Sequence, residues 1–120
     1  MSQIPQSMVK TSEVKGEEMA KHDFTELFAR YPSIIQQMPD TFTSHQFILE
    51  LARREQKLYV EALYDYRDKR RSGKRAPFLI VHGILAQQLS AHPDLIRKER
   101  TVNSKDIFRQ PNTSVKWKKV

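Results

Sequence analysis

The sequence predicts a mainly α-helical domain finished by a small C-terminal β-hairpin, an α+β fold. Three observations predict it. Apolar residues recur at helical spacing from Phe24 to Tyr66. The run Pro77–Leu89, PFLIVHGILAQQL, is the most apolar stretch of a polar chain and has the length of a helix. The closing SVKWKKV alternates, with Val115 and Trp117 on one side and Lys116 and Lys118 on the other, which is the period of a strand.

Each element follows from local signals. Residues 1–22 combine scattered polar side chains with a Pro, a Gly and no sustained period, so they read as a flexible arm, and 23–120 as one domain. Asp23 and Glu26 have capping-box spacing, and Phe24, Leu27, Phe28 and Tyr31 share a helical face. Pro32 interrupts that helix and starts a short turn carrying Ile34, Ile35 and Met38.

In FTSHQF, Thr43 and Gln46 form a second capping box, and Phe42 and Phe47 a hydrophobic staple. From Phe47 to Tyr66 the apolar residues stay within one face about 160° wide at 100° per residue, broken only by Glu55. Because the phase holds, one helix from Ser44 to Arg70 is favoured over two that break near Arg54–Gln56. Ser72-Gly73 stops it.

Pro77 suits a first helical turn. The helix it opens is apolar almost all round, which places it in the middle of a small core. His82 falls within its Phe78–Leu85–Leu89 stripe and reads as a hydrogen-bonded core histidine. Leu95–Val102 is either a strand or a short helix. Asn103–Asp106 and Gln110–Thr113 are turn chemistry, and Ser114–Val120 is a half-buried edge strand. If Leu95–Val102 is a strand, it pairs with that segment as a hairpin. Helices followed by a basic hairpin resemble a winged helix in layout alone, because no family signature is present and the inter-helix loop is longer than a helix-turn-helix turn.

Charge points to function. Residues 1–60 hold 7 Lys/Arg and 8 Asp/Glu, and residues 61–120 hold 14 and 6, so the whole net charge of +7 lies in the second half. Such asymmetry favours an anionic partner. Three clusters carry it: Lys69, Arg70, Arg71, Lys74 and Arg75; then Arg97, Lys98 and Arg100; then Lys105, Arg109, Lys116, Lys118 and Lys119. Flexible cations of this kind neutralise phosphates. Asn103, Arg109, Gln110 and Asn112 at the hairpin tip are candidates for base edges. Trp117 reads as packing on the helices before it reads as a base-stacking ring.

The expected function is therefore non-catalytic nucleic-acid binding, DNA before RNA. The alternative is a protein-interaction or assembly subunit, as a homodimer or a partner-binding module. That alternative uses Val60 and Tyr64, which lie off the main helical face, together with an apolar surface over Phe24–Met38.

Other functions find no residues to carry them. The sequence has no P-loop, GxSxG, HExxH or GxGxxG, and its four histidines lack metal-ligand spacing. No catalytic residue, metal, cofactor or small-molecule ligand is expected. The absence of cysteine rules out disulfides, thiolate chemistry and Cys-based zinc sites. No apolar run approaches the roughly 20 residues of a membrane span, and no signal-peptide core is present, so a cytoplasmic protein without a membrane partner is expected.

Overall fold

In a computed structural model of the chain, which describes residues 22–68 and 76–120, helices and a three-stranded antiparallel sheet share one core. The chain opens with α1 (Thr25–Phe28) and α2 (Tyr31–Gln37). Asp23 Oδ1 accepts from the Thr25 N–H at 3.0 Å, while Glu26 reaches Arg30 at 3.5 Å instead of closing a box. Pro32 lies in the first turn of α2, where its missing N–H is no loss. His22 is tied to Asp65 at 2.5 Å.

The strand β1 (Thr41–Thr43) leads directly into α3 (Ser44–Arg54). The capping box at that junction is complete. Thr43 Oγ1 accepts from the Gln46 N–H at 3.1 Å, and Gln46 Oε1 accepts from the Thr43 N–H at 2.9 Å. The Phe42 and Phe47 rings meet at 6.2 Å, as the staple predicts. Thr43→Ala should cost about 1 kcal/mol, measured as a shift in urea midpoint without a change in slope.

The single long helix does not form. α3 ends at Arg54, Glu55 leaves helical geometry at φ −120° and ψ 55°, and α4 runs Gln56–Asp65. The ladder survives the break, since Glu55 N–H donates to Leu51 and Tyr59 N–H donates to Glu55. A hinge of one residue costs almost no angular phase, so the apolar face stays aligned across it. Glu55, the one polar residue on that face, turns to Arg30 at 3.7 Å.

The apolar run forms α5 (Ala76–Gln88), followed by one 3-10 turn, Leu89–Ala91. It is not enclosed on all sides. Val81, Leu85 and Leu89 are fully buried, whereas Phe78, Ile80 and Ile84 are half-buried and Leu79 is exposed. One small core offers neighbours on one side of a helix; beyond it, Phe78 of α5 meets the Phe108 ring of the hairpin at 4.7 Å.

That hairpin is β2 (Ile96–Lys105) and β3 (Pro111–Lys119), so Leu95–Val102 contains a strand. Both strands outrun the expected turns, and the connection shrinks to Asp106–Gln110. Asp106 organises it: Oδ1 accepts from the Phe108 and Gln110 N–H groups at 2.9 and 3.0 Å. Arg109 takes the left-handed conformation at φ 67°.

The sheet order is β1-β3-β2, so β3 is central rather than an edge. Phe42 and Trp117 are cross-strand partners, and both enter the core. Trp117 Nε1 donates to Ser44 Oγ at 2.9 Å, satisfying the one polar atom of the indole. Phe24, Leu27, Tyr31, Ile34, Ile35 and Met38 are all buried, so they do not form a second, free apolar surface. Val60 and Tyr64 are exposed as expected.

A cationic sheet face beside an aromatic groove

Residues directly opposite in an antiparallel pair share a face, and alternate residues of one strand do too. Arg97 pairs with Lys118, and Arg100 pairs with Lys116. Trp117, between the two lysines, faces the core, so Lys116 and Lys118 take the other face. Arg97 and Arg100 are three apart and would normally oppose each other. A register shift between Lys98 and Arg100 sets Lys98 and Glu99 together against Trp117, which restores the phase. Four cations thus stand two by two on one sheet face. Standard geometry separates partners by about 5 Å across strands and about 7 Å along them.

Arg97 and Arg100 are exposed; Lys116 and Lys118 are half-buried. Among the described residues, Lys118 alone of the four has an acid partner, Asp40 at 2.8 Å. Its ammonium, first through that hydrogen bond and then through charge, holds the Asp40 carboxyl below the usual range.

The other expected cations do not join the block. Lys98 stands in the bulge, and Lys119 Nζ donates to the Gln36 carbonyl at 2.9 Å, pinning α2 to the sheet. Lys105 and Arg109 are exposed at the far end of the hairpin. Lys69, Arg70, Arg71, Lys74 and Arg75 lie outside the described residues.

Beyond the block the hairpin and α5 enclose a groove of about 880 Å³, its third wall the start of α3. Phe108, at the hairpin tip, meets Phe78 edge-on at 4.7 Å and stacks on His82 at 6.1 Å. His82 in turn shares a 2.6 Å hydrogen bond with Tyr59 of α4. His45 N–H donates to Ser114 Oγ, and the His45 ring lies 3.2 Å from Ser104 Oγ. Asn112 and Thr113 line the groove, but Gln110 and Asn103 are exposed outside it. Among the described residues, Asp106 is the one acid lining the groove. The sequence carried no signal for this groove, because it depends on where the hairpin tip lands.

Burial sets the groove's protonation. It pushes His82 down to about 4, against the pull of Asp106 and aided by His45. It also lowers His45, with Asp106 and a backbone contact from Lys105 opposing. Tyr59 is raised by burial to about 12 and stays neutral. The unfolded chain, with His near 6.5, therefore binds more protons than the folded chain between pH 6.5 and about 4. Stability is fully present above pH 6.5 and is lost as pH falls through that window. From pH 7 to pH 5, His82 should remove about 1–2 kcal/mol. His82→Gln keeps a polar group beside Tyr59 without titrating, so its urea midpoint should fall less over the same range. Equal losses in both proteins would sink the assignment.

Among the described residues, no three metal-ligating side chains converge, and no helix is long and apolar enough to cross a membrane. Comparison with protein-family models, with curated proteins and with solved structures finds no match for the chain.

Proposed function

We propose that this chain is a non-catalytic nucleic-acid-binding domain that grips a phosphate backbone with the cationic face of its sheet. The observation that carries the reading is the two-by-two block Arg97, Arg100, Lys116 and Lys118, which the β2 bulge holds in one plane. Its span of about 7 Å is short against a major groove about 12 Å wide, so it follows one backbone rather than bridging two.

The element order supports the same reading. Helices come first, a short strand precedes α3, and the closing hairpin pairs back onto that strand. We read this as a winged-helix-like layout with β2–β3 as the wing. One feature departs from a base-reading module: the open side of α5 carries Leu79 and Gly83 and a single hydrogen-bonding side chain, Gln87, among its described residues. Binding is therefore positional and tolerant of sequence, with phosphate contacts dominant.

The test is fluorescence anisotropy of labelled nucleic acid from about 50 to 200 mM salt. Four phosphate contacts give a log–log slope near −3 to −4, or about a 100-fold loss across that range. No binding at the lowest salt would end the proposal. A protein-interaction role keeps one supporting observation, since Val60 and Tyr64 stand four apart on α4 and are 58% and 60% exposed. A dimeric solution mass that reverts to monomer in Val60→Glu would favour that second reading.

A further inference from the structure

We infer that the groove between α5 and the hairpin receives unpaired nucleobases of a single nucleic-acid strand whose backbone lies on the cationic sheet face. The inference rests on the nucleic-acid reading above and narrows it to a substrate class. Continuity of the two surfaces is the first argument. The cationic block ends at the Arg100–Lys116 pair, and the next pair on the same face of the hairpin is Val102–Ser114. Ser114 lines the groove. A backbone tracked by the block therefore arrives at the mouth of the groove within two residue steps, about 3.3 Å each.

The groove's chemistry is the second argument. Its outer wall is aromatic, with Phe78 and His82 on α5 and Phe108, 38% exposed, at the hairpin tip. Asn112 and Thr113 add polar side chains. Stacking surfaces with a few hydrogen-bonding groups suit any base, because every base has a π face. The volume, about 880 Å³, falls within the range of ligand-sized clefts. A base still paired in a duplex cannot leave its stack to enter without a cost, whereas an unpaired one can. Charge complementarity also favours this occupant, since the surface leading to the groove is cationic.

Gly83 provides the test. It sits in α5 at the groove wall, and a Cβ built there meets nothing within 4 Å. Gly83→Leu fills the groove while improving helix propensity, so the fold persists. Anisotropy is measured with one labelled single-stranded DNA and the same strand in duplex, and a thermal melt checks folding. The wild type should prefer the single strand. In Gly83→Leu that affinity should fall about tenfold or more, and duplex affinity should stay put. Equal wild-type affinity for both forms overturns the inference, as does a preference that survives Gly83→Leu, which leaves the groove for a protein side chain. Absence of all binding at low salt overturns the underlying reading as well.

Discussion

Replacing Arg97, Arg100, Lys116 and Lys118 together by Gln should weaken nucleic-acid binding at least about 100-fold at 50 mM salt and flatten the salt slope toward zero. The expectation follows from counterion release: each neutralised phosphate contributes close to one unit of slope, so removing four contacts removes nearly all of it. Gln rather than Ala is the informative change. Lys116 and Lys118 are half-buried, and their stems cover apolar surface that Gln still covers. The four do not contribute equally. Lys118 is partly neutralised by Asp40, so Lys118→Gln alone should change affinity least. Arg97 and Arg100 are exposed without an acid partner among the described residues, and they should change it most. Circular dichroism must show an intact fold in the quadruple variant. Intact folding with unchanged affinity would remove this face from the site and return attention to Lys105 and Arg109 at the hairpin tip.

What the sequence made legible was local. The Thr43–Gln46 box and the Phe42–Phe47 staple depend on residues three to five apart, and both formed as read. Alternation around Trp117 placed the lysines opposite the indole, again from neighbours alone. The misread features all depend on distant partners or on geometry that leaves no periodic trace. Glu55 breaks the helix without shifting the apolar phase, so periodicity counted one helix where there are two. Thr41–Thr43 looked like the approach to a cap, and only Lys116–Lys118, far along the chain, makes it a strand. That same pairing turns β3 from an edge into the centre of the sheet. The cation block was legible only as composition. Arg97 and Arg100 are three apart, a spacing that alternation assigns to opposite faces; the bulge that reunites them is a property of the paired strands.

Trp117→Ala should cost about 3–5 kcal/mol, the range of large aromatic truncations in a core. Trp117 is 6% exposed although it is only three positions from Val120. Its ring is held from two sides: Phe42 is its cross-strand partner in β1, and Ser44 at the start of α3 accepts its Nε1–H. One side chain thus joins β1, the central strand and the capped end of α3. Removing it leaves a cavity under the cationic block and an unpaired Ser44 hydroxyl. Trp117→Phe separates the two effects, since it keeps most of the ring and loses the hydrogen bond, at about 1–2 kcal/mol. Trp117 is the chain's single tryptophan, so unfolding must be followed by far-ultraviolet circular dichroism in urea rather than by indole fluorescence. A cost below about 1 kcal/mol for Trp117→Ala would mean that the sheet is not docked on the helices through this residue. The indole would then be available at the surface, and base stacking by Trp117 itself would replace packing as its role. A cost in the expected range fixes Trp117 as the anchor that holds Lys116 and Lys118 outward, so phosphate binding should weaken in Trp117→Ala even where the protein remains folded.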